Sequence, residues 1–115
     1  MGIIVSCARA REILDEFKRR APRDATVFIK RSETPKEIAK LGLDFDSAIA
    51  ILMCLTEVNY CHGPEPHDKG LPGGIWVFGY DCGCEIYIKL WMSDERAVCY
   101  SFHERRGNPL VYPCR

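Results

Sequence analysis

The stretch Glu85-Ile86-Tyr87-Ile88-Lys89-Leu90-Trp91-Met92 decides the fold. Its apolar residues Ile86, Ile88 and Leu90 alternate with Tyr87, Lys89 and Trp91. Successive side chains of a strand point to opposite faces, so this is a strand with one face on a core and the other turned outward. Working outward, Ile75 to Tyr80 and Ala97 to His103 are rich in β-branched and aromatic residues and read as strands. Turns at Cys82-Gly83-Cys84 and Ser93-Asp94-Glu95-Arg96 join the three. Three successive strands with short connections indicate an antiparallel meander. The tail, Glu104 to Arg115, is expected to extend along this sheet through Leu110-Val111-Tyr112.

Upstream of the sheet the apolar period changes. In residues 8–20 Ile13, Leu14 and Phe17 fall on one side of a helix and the charged residues on the other. Ala21-Pro22 ends it. Thr26 to Lys30 reads as a short strand. A second helix opens at Ser32-Glu33-Thr34-Pro35, with Thr34 as N-cap and Pro35 at the first helical position. It runs to Leu41 and stops at Gly42. Asp46 is expected to cap a third helix, apolar nearly all round and therefore buried. Thr56 caps a turn or single helical turn through Tyr60. Residues 61–74, with four glycines and three prolines, read as a long loop. Helices first and sheet second make the class α+β, as one domain over residues 1–115.

The 115 residues are 47% hydrophobic and 28% charged, which excludes disordered and low-complexity classes. The longest apolar run, Ala48 to Leu55, has eight residues. A bilayer span needs roughly 20, so no membrane partner is expected. Ile3 to Val5 precedes Ser6-Cys7 without a basic region, which does not match a secretion signal. The expected location is cytoplasmic. Charge is zero overall but uneven: net +4 over residues 1–42, −6 over 43–94 and +2 over 95–115. Nucleic acid could therefore be held only through a local patch. Seven cysteines are expected to remain thiols in a reducing cytosol, with Cys54 and Cys99 as small core residues. Cys61, His62, His67, Cys82, Cys84 and His103 are the candidate metal ligands, but their spacing does not match a zinc site. No metal or cofactor is expected.

The outward face carries the candidate chemistry. Tyr87, Lys89 and Trp91 share it. On the next strand Val98, Tyr100 and Phe102 form the better core set, which leaves Cys99, Ser101 and His103 outward, beside Tyr87 and Lys89. Arg105 extends the basic edge, and His62 enters from the preceding loop. Such a group suits metal-free RNA cleavage. The ribose 2′-OH attacks the adjacent phosphorus; a base removes its proton, an acid protonates the leaving 5′ oxygen, and cations steady the added charge. Histidine serves either proton transfer near neutral pH. Lys89 and Arg105 would bind phosphate, Tyr87 would orient it, and Trp91 is a second surface on which a base could stack.

Several pieces resemble the MqsR family of toxins from type II toxin–antitoxin systems. They are Leu41-Gly42-Leu43-Asp44-Phe45-Asp46 before an apolar helix, Leu55-Thr56-Glu57-Val58-Asn59-Tyr60, Ile75-Trp76, Tyr87-Ile88-Lys89 and Ser101-Phe102-His103-Glu104. The resemblance covers roughly residues 26–105. It implies a RelE-like fold with helices on a twisted antiparallel sheet. It further implies a metal-independent, sequence-selective mRNA endonuclease, held inactive by a cognate antitoxin that itself binds DNA. Family lysines fall on His62 and His103, the family tyrosine on Tyr87, and a family glutamine near Val77. The resemblance therefore implies His62, Tyr87 and His103 as catalytic, and the outward face supplies Lys89, Trp91 and Arg105 for substrate. Two other readings compete: a module that binds antitoxin or RNA without cutting, which Val77 favours, and a small zinc-stabilised domain built on Cys82 and Cys84.

Overall fold

A computed structural model describes residues 3–29 and 33–115. Helix α1 spans Cys7–Arg20, α2 Glu33–Lys40 and α3 Phe45–Cys54; strands β1 Tyr60–Glu65, β2 Gly74–Asp81, β3 Glu85–Met92 and β4 Ala97–Glu104 follow. The strands form one antiparallel sheet in the order β1-β2-β3-β4. The class is α+β, and β3 has the bounds its alternation predicts.

The helices form for local reasons. The Ser6 hydroxyl accepts the Arg9 N–H and caps α1, whose Ala10, Ile13, Leu14 and Phe17 form one buried face. Gly42, at φ 75°, ends the helical turn after α2 in a conformation costly to residues with a Cβ. The α3 cap is Asp44 rather than Asp46. Its carboxylate accepts the Ser47 N–H at 2.8 Å, three residues on, while Asp46 sits inside the first turn. Lys18 Nζ reaches the Leu55 carbonyl at the far end of α3 (2.6 Å), so α1 caps its neighbour. Thr56 does precede a single 3₁₀ turn, Glu57–Asn59, whose Asn59 Oδ1 accepts the Thr56 N–H.

Six further expectations change. Ala25–Val27 is a 3₁₀ turn rather than a strand, because the Asp24 carboxylate captures the Thr26 N–H. Only Phe28 makes a bridge, parallel to Cys99; Lys30 lies outside the described residues. Thr34 and Pro35 sit within the first turn of α2, which begins at Glu33; Ser32 also lies outside the described residues. Residues 61–65 belong to a fourth strand. Pro64 is tolerated there because β1 is an edge strand, where a missing N–H need not break a ladder. The tail forms no strand, and instead crosses one face of the sheet. Cys54 is exposed, and Cys7 and Cys114 are joined by a disulfide instead of remaining thiols. Their Cα atoms are 5.7 Å apart, which anchors the tail to the start of α1.

The core lies between the helices and one sheet face. Phe78, Ile86, Ile88, Leu90 and Phe102 meet Leu14, Phe17 and Leu52 there, all essentially without exposure. Each such side chain stabilises by about 1.5–3 kcal/mol relative to an exposed one. Tyr60 is buried in the same core. Its hydroxyl donates to the Gly63 carbonyl and accepts the Val5 N–H, both at 2.9 Å, so its burial leaves no polar atom unmet. Among the described residues, no helix is long and apolar enough to cross a membrane.

Candidate active site

The outer sheet face is built by pairing. Lys89 stands opposite Ser101 on β4 and Val77 on β2, while Tyr87 stands opposite His103 and Gly79. Residues directly opposite share a face, so Tyr87, Lys89, Ser101 and His103 meet as the alternation predicts. The rings of Tyr87 and His103 stack with centroids 5.2 Å apart and planes at 18°. Lys89 Nζ lies 5.8 Å from the Tyr87 ring centre. No other described side chain pairs with this ammonium.

Hydrogen bonding sets the state of each group. His103 Nδ1 is 2.8 Å from the Glu104 carbonyl. A carbonyl can only accept, so the proton sits on Nδ1 and the neutral ring keeps a lone pair on Nε2. Such a nitrogen is a ready base. Burial raises the Tyr87 pKa, and the nearby Glu65 charge adds to the rise. The phenol therefore stays protonated at neutral pH and is a donor. Cys61, on β1, is pushed up to about 12 by burial, so it is a neutral thiol and no nucleophile.

His62 comes from β1, opposite Val77. It shares the face with His103, but the two stand on the outermost strands. Three inter-strand spacings of about 4.8 Å, with an offset of two residues along the strand, set their backbones about 16 Å apart. They flank Tyr87 and Lys89 and do not touch as a pair. The buried Nδ1 of His62 makes no hydrogen bond and lies 3.7 Å from Glu65. Val77, between His62 and Lys89, is fully buried and offers no polar group.

Arg105 and Trp91 differ from expectation. Arg105 Nε sits 2.7 Å from a Glu85 oxygen, its backbone N–H donates to the Glu85 carbonyl, and its guanidinium also reaches the Gly107 carbonyl. Its charge is thus compensated, and it shapes the rim instead of standing free for phosphate. Trp91 is only 7% exposed, with its indole N–H donating to the Pro72 carbonyl at 3.0 Å. It is a wall and no free stacking platform.

The outer face is not flat, and its relief comes from two features that alternation conceals. Between Lys89 and Leu90 the register with β4 shifts, so that Leu90 faces Cys99 while Lys89 faces Ser101. The extra residue is Tyr100. This bulge turns Cys99 into the core and leaves Val98 and Tyr100 outside with Trp91 and Ile75, reversing the expected assignment for three positions. Phe102 remains in the core and His103 outside.

The second feature is the tail. A Cβ on Gly79 would collide with the Tyr112 hydroxyl and with Leu110, so the tail rests directly on β2 beside Tyr87. The Tyr112 hydroxyl donates to Glu85 at 2.7 Å and the Leu110 N–H to its other oxygen at 3.3 Å. Burial pushes the Glu85 pKa up, but these donors and Arg105 outweigh it, and the carboxyl is held below its usual range. No family model matches the chain, and no curated protein or solved structure matches it either.

Proposed function

We propose that this protein is a metal-independent endoribonuclease with a RelE-like, MqsR-type architecture. It cuts mRNA by attack of the ribose 2′-OH on the adjacent phosphate, and it serves as a toxin restrained by a cognate, DNA-binding antitoxin. The observation that carries the chemistry is the stacked Tyr87–His103 pair with the unpaired Lys89 ammonium beside it.

A phosphate over Tyr87 would meet a neutral phenol donor and a cation on one side. Both strengthen their hold as the phosphorus gains charge. His103 Nε2, freed by the Nδ1 bond, takes the 2′-OH proton. His62, on the opposite edge, would return a proton to the leaving 5′ oxygen. In an in-line displacement the attacking and leaving oxygens lie on opposite sides of phosphorus, so acid and base act from opposite sides. A cyclic 2′,3′-phosphate and a free 5′-hydroxyl result. The fully buried Val77 favours one other reading, a module that binds RNA or antitoxin without cutting.

The test is mixed-sequence RNA incubated with antitoxin-free protein in EDTA, with Tyr87→Phe and His103→Ala beside it. General acid–base groups contribute about 10²–10⁴-fold, so His103→Ala should lose at least 100-fold. Full activity in that variant would remove His103 from the chemistry. Saturable RNA binding by the wild type without any cleavage would establish the binding module.

A further inference from the structure

The Cys7–Cys114 disulfide holds the tail across the outer face at the rim of the candidate site. Gly79, on which Leu110 and Tyr112 rest, stands opposite Tyr87. It is also two residues along β2 from Val77, which separates His62 from Lys89. A chain laid over Tyr87 and running toward the β2–β3 turn therefore meets the tail.

Little besides the disulfide keeps the tail there. Glu85 fixes Arg105 at the end of β4, and Arg106 reaches Glu37 on α2. From residue 108 onward, the polar contacts with the rest of the protein, among the described residues, are the two bonds to Glu85. Arg115 lies 3.9 Å from the Tyr112 ring centre, and its N–H donates to the Tyr112 carbonyl, which are contacts within the tail. Asn108, Pro109, Val111, Pro113 and Arg115 are exposed, and Leu110, Tyr112 and Cys114 are half-buried. Ordering these eight residues costs more backbone entropy than two hydrogen bonds and the half-buried side chains return.

We propose that the Cys7–Cys114 disulfide is a redox latch, whose reduction by a dithiol frees residues 108–115 and uncovers the outer face beside Tyr87. The release stands on this geometry; its consequence for RNA rests on the reading of that face as an RNA-cleaving surface, to which it adds a control.

The bond is placed for exchange. Cys7 is exposed and Cys114 half-buried, so a reductant can reach the sulfurs. Cys7 is also the first residue of α1, whose N-terminal end stabilises a departing thiolate. A reductant thiolate attacks Cys114 Sγ, the S–S bond breaks, and Cys7 leaves as the thiolate. The reductant's second thiol then displaces Cys114 from the mixed disulfide. Two electrons and two protons pass to the two cysteines, and the reductant becomes a disulfide. In a reducing cytosol, where the proposed toxin would meet mRNA, disulfides are usually transient and regulatory.

Backbone amide relaxation by NMR, on the intact protein oxidised and then in dithiothreitol, tests the latch. Order parameters of the Leu110 and Tyr112 amides should fall from about 0.85 to below about 0.6 on reduction and recover on reoxidation. Cys7→Ser, which leaves the tail sequence intact, should show the low values without reductant. The β3 amides in the same spectra report whether the sheet stays folded. Tail amides that stay rigid once Cys7 and Cys114 are reduced would overturn the proposal. If the latched tail stands clear of the face less than about a tenth of the time, single-stranded RNA in EDTA should bind the reduced form about tenfold more tightly. Equal RNA affinity in the two forms, with the tail mobile in one, would overturn the uncovering of the face. Tighter binding on reduction with no cleavage by either form would support the latch and defeat the cleavage reading alone. No RNA binding by either form, with the tail mobile only when reduced, would uphold the latch and defeat the RNA reading.

Discussion

Replacing Cys114 by serine removes the covalent tie between the tail and α1. The two cysteines are 107 residues apart in sequence, so the link closes nearly the whole chain into a loop. In the chain-entropy treatment, a loop of that length restricts the unfolded ensemble by about 16 cal/mol/K, or about 4.8 kcal/mol at 25 °C. Native disulfides contribute about 2–5 kcal/mol in practice. For a chain of this size the unfolding entropy is about 0.24 kcal/mol/K, so each kcal/mol is about 4 °C. Cys114→Ser should therefore lower Tm by about 8–20 °C in thermal denaturation followed by circular dichroism. Dithiothreitol should lower the wild-type Tm by a similar amount and leave the variant unchanged. Thiol titration in denaturant should count five thiols without reductant, matching the five free cysteines, and seven with it. Seven thiols before reduction, or a variant within about 2 °C of wild type, would refute the argument.

Three further outcomes follow from the packing. Glu85 is held below its usual pKa by Tyr112, Leu110 and Arg105, against the opposing effect of burial; its stabilising contribution is present above about pH 4.3, the unfolded value, and is lost as pH falls through the lower folded value. Urea midpoints between pH 6 and 3 should therefore fall less steeply in Glu85→Gln than in wild type. Gly79→Ala should lose about 1–3 kcal/mol, since its Cβ meets Leu110 and Tyr112; a change below about 0.5 kcal/mol in the same titration would mean that the tail does not rest on β2. Leu90→Ala, at a fully buried core position, should cost about 2–5 kcal/mol, read from the shift in denaturant midpoint.

The inner half of the architecture was legible because period and punctuation agreed. Ile86, Ile88 and Leu90 face the helices, and Tyr87 and His103 meet outside, as alternation requires. Where reading failed, a local hydrogen bond or a register shift intervened. Asp44 and Asp46 are equally good caps by type, and only the helix phase selects Asp44. Nothing in Cys99-Tyr100-Ser101 announces a bulge, yet it moves Val98 and Tyr100 to the outer face. The pairing of Cys7 with Cys114 depends on where the tail crosses the sheet, which periodicity does not encode. Arg105 looked free because Glu85, its partner, is twenty residues away in sequence.

The central claim is that the outer face directs a ribose 2′-OH onto its own phosphate. The most direct measurement uses an RNA oligonucleotide cut by the protein in EDTA, and the same oligonucleotide with a single 2′-deoxy sugar immediately 5′ of the cut. The account predicts a 2′,3′-cyclic phosphate and a 5′-hydroxyl from the first, and no cleavage at that position in the second. Cleavage of the 2′-deoxy substrate at an undiminished rate, or a 5′-phosphate product, would contradict it.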